Sequence, residues 1–222
     1  MLLKNGEKFL FVFQHGWSCN GHFFDKLTST LSYYKNCEFL VLDSGYYSSQ
    51  SVTINDVDLS KYEECKLIGV GHSMGFFKLL SSHISFNAMI SICGFVDFSK
   101  PKVDLMIKNF QSAPQFSLEV IKLFYHRCQL SELDFSNMQY QTLLDDLYLI
   151  ANMNNQTNDL IAKLKQKPSL ALCSKIDVIV NNHIAKHTNE AFFNYKVNHG
   201  LGALEVKWCV EKIVSFLEKY EF

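Results

Sequence analysis

The chain has 222 residues, of which 48% are hydrophobic and 19% are charged, and its formal net charge is −1. This composition is typical of a globular protein, and the length suits one domain with a modest insertion, because single cores stop growing beyond roughly 250 residues. A nearly neutral chain whose single arginine is Arg127 has no overall positive field that would attract nucleic acid. No apolar run approaches the about 20 residues of a membrane span. We therefore expect neither nucleic acid nor a membrane as a partner.

The N-terminus and the cysteines favour a cytoplasmic protein. Lys4 and Lys8 are followed directly by an apolar run without a small-residue cleavage site, which is not the pattern of a signal peptide. The seven cysteines are scattered and form no C-x-x-C pair. Scattered cysteines are typical of free, buried thiols in a reducing compartment.

Short apolar runs bounded by turn residues predict a mostly parallel sheet. The predicted strands are 9–14, 37–42, 65–70, 88–92, 169–173 and 193–197. Helix-like stretches alternate with the early strands, and a last helix is expected over 203–220. This order is typical of an α/β protein with helices on both faces of the sheet.

Residues 97–167, which we call the helical insertion, contain no strand-like run. In one stretch Leu143, Leu144, Leu147 and Ile150 follow the i, i+3, i+4 spacing of a helix with one buried face. The expected organisation is therefore a core of residues 1–96 and 168–222, interrupted by the insertion. Since parallel sheets bind ligands at the carboxyl ends of their strands, an insertion there predicts a lid or cap.

The third predicted strand is followed by Gly71-His72-Ser73-Met74-Gly75, which matches G-x-S-x-G between a strand and a helix. Such a sharp turn holds the serine in a strained conformation, and glycine is needed two residues to either side to avoid collisions. The pattern indicates a nucleophilic Ser73. His72 lies beside it in the sequence, and we expect a packing role for its ring.

A serine hydroxyl needs a base, and the base needs a carboxylate that holds its imidazole in the right tautomer. Asp177 follows the fifth predicted strand, and His199 precedes the last helix, so the chain order is serine, acid, histidine. His183 and His187 are four residues apart and offer an alternative metal pair. No third ligand has matching spacing, so a solvated helix face is favoured, and neither a metal nor a cofactor is implied.

The first strand is followed by Gln14-His15-Gly16-Trp17-Ser18, an H-G-x turn of the kind that supplies one backbone N–H to a tetrahedral oxyanion. The N–H of Met74, next to the candidate nucleophile, is the expected second donor.

Several of these motifs together resemble the pimeloyl-[acyl-carrier protein] methyl ester carboxylesterases of biotin synthesis, within the α/β-hydrolase superfamily. The resemblance rests on His15-Gly16-Trp17, Asn20, Phe23-Phe24, the 71–75 motif, Asp177 and His199. It covers 9–95 and 168–218 in motif order, but not the insertion. It implies the α/β-hydrolase fold and a triad of Ser73, Asp177 and His199. It further implies that Trp17 and Met74 are the oxyanion donors and that the Trp17 ring lines the acyl pocket.

The sequence differs from that family in two places, and both differences affect which substrate is expected. Where relatives usually carry a D-x-P-G-x-G loop, the chain has Asp43-Ser44-Gly45-Tyr46-Tyr47-Ser48, and the helix before the serine is shortened to about 57–64. An acyl ester tethered to acyl-carrier protein is the implied substrate. The alternatives are a broad short-chain carboxylesterase or thioesterase and, from another class, a non-catalytic protein of this fold that only binds a ligand.

The distribution of charge along the helical insertion is relevant to the docking of an acyl-carrier protein. Residues 100–127 hold five cations against two acids, and 163–167 hold three lysines and no acid, so both ends are basic. Because acyl-carrier proteins are acidic, basic ends would favour their docking, with Lys100, Lys102 and Lys108 as candidates. Ordinary solvated lysines are the alternative.

Overall fold

The computed structural model describes residues 7–34, 36–112, 114–131 and 134–220. The ends of the predicted core, 1–6 and 221–222, lie outside the described residues. Six parallel strands form one sheet in the order β2-β1-β3-β4-β5-β6. The strands are β1 Lys8–Gln14, β2 Cys37–Leu42, β3 Cys65–His72, β4 Ala88–Ile92, β5 Ser169–Ser174 and β6 Glu190–Asn194.

Five of the predicted strands are confirmed to within two residues, and the sixth was placed three residues too late. β6 pairs with β5 from Glu190 onwards and ends at Asn194. There the Asn194 side-chain oxygen accepts the N–H groups of Lys196 and Val197, at 2.8 and 3.4 Å. This turn removes 195–197 from the sheet, although their sequence is apolar enough to suggest a strand.

Eight α-helices surround the sheet in the described part of the chain. They are α1 Asp25–Leu31, α2 Met74–Ser81, α3 Lys100–Ser112, α4 Pro114–Cys128, α5 Tyr140–Asn152, α6 Thr157–Leu164, α7 Leu201–Leu204 and α8 Val206–Lys219. The single helix expected at 203–220 is interrupted at Glu205, whose ψ of 48° is not helical. The short helix expected at 57–64 is only a 3-10 turn, Ser60–Tyr62.

The strand order explains why helices cover both faces. α1 joins β1 to β2 in one direction along the sheet, whereas α2 joins β3 to β4 in the opposite direction. Parallel crossovers are right-handed, so opposite directions place the two helices on opposite faces. In agreement with this, α1 packs against α8, and α2 packs against α6.

The core is continuous from the sheet into both layers. Phe9, Phe11 and Phe13 alternate along β1 and are fully buried, with successive ring centroids 6.3 and 6.2 Å apart. Phe24, just before α1, packs on Phe13 at 4.9 Å. Burying such a ring contributes about 1.5–3 kcal/mol, so this stack holds β1 and the helix layer of α1 together.

The helical insertion consists of α3–α6, and α3 packs against both α4 and α5. The expected buried face of α5 is confirmed: Leu143, Leu144, Leu147 and Ile150 are all buried. Within the described ranges, no helix combines the length and the apolar character needed to cross a bilayer.

Candidate active site

Ser73 lies at the point where β3 turns into α2, in the left-handed region at φ 53° and ψ −125°. Its N–H donates to the carbonyl of Ile92 on the neighbouring strand at 3.0 Å. A Cβ on Gly71 would lie 2.2 Å from the Phe76 Cα, and one on Gly75 would lie 2.0 Å from the Gln14 carbonyl oxygen. Both glycines are therefore required by close approach of backbone, as expected for this turn.

Asp177 follows β5 and His199 precedes α7, and the two side chains meet in the interior. Nδ1 of His199 donates to Oδ2 of Asp177 at 2.8 Å, and both side chains are fully buried. The other carboxylate oxygen, Oδ1, accepts the N–H groups of Ile179 and Val180 at 2.8 and 3.0 Å. Burial would raise the pKa of Asp177, but the imidazole and these hydrogen bonds outweigh it and lower the pKa. Asp177 is therefore a carboxylate at neutral pH.

The second nitrogen of His199, Nε2, is buried and has no hydrogen-bond partner among the described residues. Since Nδ1 carries the proton donated to Asp177, Nε2 has its lone pair free. Ser73 Oγ does not bond to it in this structure, and such bonds are often long before substrate binds. The Phe124 ring packs 6.2 Å from the His199 ring and lines the same cavity as Ser73.

His72 packs as expected, and it also touches the candidate base, which the sequence did not indicate. Its ring stacks on Phe23 at 4.1 Å, and its Nε2 donates to the backbone carbonyl of His199 at 3.0 Å. Burial lowers the pKa of His72 well below the ordinary value, and the nearby His199 adds to that effect. A neutral His72 therefore helps to hold the backbone that carries His199.

The expected oxyanion donors flank the nucleophile. A Cβ on Gly16 would lie 2.8 Å from the Ser73 Cβ. The loop after β1 therefore passes directly against the turn between β3 and α2 that carries Ser73, which we call the elbow. Trp17 and Met74 both line the cavity that Ser73 lines. Within the part of the chain that the structure describes, their backbone N–H groups have no acceptor. Two free donors beside one serine suit a developing oxyanion.

The cavity has a volume of about 340 Å³ and lies between the sheet and the helical insertion. Its lining is mostly apolar and includes Val103, Met106, Val120, Phe124, Leu147 and Ile150. Lys102 and Arg127 also line it, are exposed, and form no ion pair with any described residue. Leu105 and Leu123, 59% and 48% exposed, lie among the lining residues as well. The lining thus combines an apolar interior with two unneutralised cations.

The candidate carrier lysines are not all at this cavity. Lys100 pairs with Asp104 at 3.1 Å, and Lys108 lies with both on a separate groove along α3 and α5. Only Lys102 of the three lines the cavity, where Arg127 accompanies it. Helix periodicity separates them, because residues two apart on a helix point in different directions.

Sequence reasoning missed two residues next to the acid and the base. Cys93, at φ 48°, offers a thiol that lies within 4.8 Å of ligating atoms of both Asp177 and His199. Burial raises its pKa well above the ordinary value, with Asp177 adding to the effect, so it is a neutral thiol. The Asn198 side-chain oxygen accepts the N–H of Val178 at 3.0 Å and thereby joins the two loops. No motif in the sequence marked either residue.

His183 and His187 lie apart from the acid and the base. His183 begins a 3-10 helix, His183–Lys186, rather than lying on an α-helix, and its Nδ1 is 3.7 Å from the carboxylate of Asp97. His183 is half exposed. Neither histidine belongs to the cluster of Cys93, Asp177 and His199.

Known structures resemble this chain, although no family model and no curated protein matches its sequence. An esterase from Exiguobacterium antarcticum has a TM-score of 0.75 at 15% identity, covering 96% of this chain and 93% of that one. A lipase-esterase related protein from Clostridium acetobutylicum has a TM-score of 0.70 at 20% identity, covering 95% of each chain. An alpha/beta hydrolase fold protein from Burkholderia ambifaria has a TM-score of 0.69 at 13% identity, covering 95% and 91%. Together with the six-stranded parallel sheet and its surrounding helices, this likeness confirms that the chain has the α/β-hydrolase fold.

Proposed function

We propose that the protein is a serine carboxylesterase in which Ser73 is the nucleophile, His199 the base and Asp177 the acid that orients it. The observation that carries the proposal is the buried His199–Asp177 pair, which leaves Nε2 unbonded. The His199 ring lies 4.9 Å from the ring of His72, the residue that precedes Ser73 in the strained turn. Buried polar atoms are usually hydrogen-bonded. Nδ1 of His72 is also buried without a partner in the described part of the chain, but of these two histidines only His199 pairs with a buried carboxylate.

The reaction divides into two steps through an acyl-enzyme. Ser73 Oγ attacks the ester carbonyl while its proton passes to Nε2 of His199, and the oxyanion is held by the N–H groups of Trp17 and Met74. The imidazolium then gives that proton to the leaving alcohol as the ester C–O bond breaks. In the second step Nε2 takes a proton from water, whose oxygen attacks the acyl carbon. The imidazolium then returns that proton to Ser73 Oγ as the bond between Oγ and the acyl carbon breaks, which releases the acid.

For the substrate we propose the methyl ester of pimeloyl-acyl-carrier protein. The apolar cavity suits a linear acyl chain, and Lys102 and Arg127 are cations able to meet an acidic carrier. A broad short-chain carboxylesterase or thioesterase is the second candidate. It is favoured by the apolar lining itself, which accepts any short acyl group without a specific polar contact.

Replacement of Ser73 by alanine tests the reaction. Ser73→Ala should lower kcat for p-nitrophenyl acetate by about 10³-fold or more and abolish labelling by a fluorophosphonate, with the fold retained. His199→Ala should have a similar effect on turnover, whereas His187→Ala should not. Turnover of Ser73→Ala within about tenfold of the wild type would refute the assignment.

The substrate proposal needs a separate comparison. We expect a much higher kcat/KM for the carrier-tethered methyl ester than for a matched short ester, and complementation of a biotin auxotroph that lacks this esterase. Equal kcat/KM values without complementation would favour the broad esterase and leave the triad proposal intact.

A further inference from the structure

The loop that would supply the Trp17 N–H is a four-residue turn with a strained residue. The N–H of Cys19 donates to the Gly16 carbonyl at 3.2 Å, which closes the turn. Ser18, its third residue, has φ 59°. A type II turn needs positive φ at that position, where glycine is the usual residue, so a serine there is held by its surroundings.

Two tyrosines from different parts of the chain hold Ser18. The hydroxyl of Tyr125, on α4 of the insertion, donates to the Ser18 carbonyl oxygen. The hydroxyl of Tyr47, in the loop after β2, donates to the same oxygen at 3.1 Å and lies 2.7 Å from the Ser18 hydroxyl. Both lone pairs of this buried carbonyl are therefore engaged.

The turn is also tied to α5 of the insertion. The indole Nε1 of Trp17 donates to the backbone carbonyl of Leu143 at 2.9 Å. The Trp17 ring packs edge-on against Phe110 and Phe124, with centroids 6.0 and 5.4 Å away. The loop after β1 is thus bound to the insertion at two successive residues, Trp17 and Ser18.

We propose that Tyr125 is a positioning residue that holds the Trp17 N–H in place for the oxyanion, so that the insertion sustains catalysis as well as enclosing the acyl pocket. The inference rests on the proposed function. Without the phenol hydroxyl, the buried Ser18 carbonyl loses a donor and the turn relaxes from its positive φ. The peptide that carries the Trp17 N–H then shifts away from the position of the oxyanion, where small displacements reduce catalysis strongly.

Tyr125→Phe removes only this hydroxyl, and Tyr140→Phe is the matched control. The Tyr140 hydroxyl also donates from the insertion to a backbone carbonyl, that of Phe110 at 2.7 Å, but it does not touch the turn. With a short neutral p-nitrophenyl ester, we expect Tyr125→Phe to lower kcat at least about tenfold with KM changed less than threefold. A boronic acid that mimics the tetrahedral intermediate should bind proportionally more weakly. Tyr140→Phe should stay within about threefold in all three quantities.

If Tyr125→Phe and Tyr140→Phe have the same kcat, or if Tyr125→Phe changes only KM, the inference is wrong. If Tyr125→Phe fails to fold, Tyr47→Phe removes the other donor to the same carbonyl and carries the same expectation. The Ser73→Ala variant separates the two proposals. Wild-type turnover that does not depend on Ser73 refutes the proposed function, whereas Ser73-dependent turnover that is insensitive to both tyrosines refutes only this inference.

Discussion

The carboxylate of Asp177 serves two sets of donors, because Oδ2 accepts from His199 while Oδ1 accepts two backbone N–H groups. In Asp177→Asn the amide oxygen must stay with the N–H groups of Ile179 and Val180, which can only donate. The amide nitrogen then faces His199 Nδ1 and forces the proton to Nε2.

Asp177→Asn should therefore fold and still fail to catalyse. A protonated Nε2 cannot take the proton of Ser73, so we expect kcat for a p-nitrophenyl ester to fall about 10³- to 10⁴-fold. The residual rate should rise at high pH, where hydroxide can take the proton instead. A variant within about tenfold of the wild type at pH 7 would show that this carboxylate does not set the tautomer of a catalytic base.

Acid sensitivity of the fold should involve Asp43, whose carboxylate accepts the N–H groups of Gly21 and Gly45 at 3.0 and 2.8 Å. Burial would raise its pKa, but the His15 ring and these hydrogen bonds outweigh it and lower the pKa from 3.8 to about 2. A carboxyl whose pKa is lower in the folded state stabilises the protein above the unfolded pKa. That contribution is lost as the pH falls towards about 2.

The difference in free energy of unfolding between the wild type and Asp43→Asn should thus be largest above pH about 5. We expect roughly 1–2 kcal/mol there, allowing for a side chain that is 31% exposed, with a decline towards pH 2. Denaturant titrations between pH 3 and 7 measure it. Asp145→Asn, at an exposed site on α5, is the control and should show no comparable trend. A difference for Asp43→Asn that is constant with pH would contradict the expectation.

The elbow should not tolerate a side chain at Gly75. An alanine Cβ would lie 2.0 Å from the Gln14 carbonyl oxygen and 2.6 Å from that of His15. Both are backbone atoms, so relieving the clash would require a shift of the main chain that costs free energy. We expect Gly75→Ala to lose at least about 2 kcal/mol of stability together with most activity. Gly21→Ala is the control, because its Cβ would approach nothing nearer than a Val41 methyl group at 3.3 Å. Equal thermal midpoints for the two variants would count against close backbone packing at Gly75.

Lys102 and Arg127 should affect a carrier-tethered ester more than a small one. Both line the cavity, whereas Lys100 and Lys108 lie on the separate groove. Since exposed charge pairs contribute about 1 kcal/mol or less each, Lys102→Glu with Arg127→Glu should lower kcat/KM for the carrier-tethered ester about 5- to 30-fold. The loss should be smaller for a neutral p-nitrophenyl ester and should shrink at high salt.

The matched control reverses Lys100 and Lys108 to glutamate and changes the total charge by the same amount. If the two double variants lose the same activity on the carrier-tethered ester, long-range charge is responsible and the cavity cations have no special role. Equal loss on both substrates for Lys102→Glu with Arg127→Glu would indicate a damaged pocket.

The fold was predictable from the sequence, because buried parallel strands must be apolar and must alternate with helices. Ser73, Asp177 and His199 were candidates for a related reason: each lies at the end of a strand or before a helix, in the order that this chemistry requires. The approach of Asp177 to His199 follows from β5 and β6 being neighbours, since the loops at their carboxyl ends meet. Local backbone chemistry limited the prediction at β6, where Asn194 ends the strand early, and at Glu205, where the last helix is interrupted.

Only the tertiary structure decided how the helical insertion meets the site. Which cations line the cavity depends on the rotation of α3 and α4 against α5, and helix periodicity alone does not set that rotation. Tyr125 and Ser18 are 107 residues apart in sequence, and their hydrogen bond exists because α4 packs over the loop after β1. Such contacts come from the packing of whole helices, to which many side chains contribute small amounts of free energy, so no short motif records them.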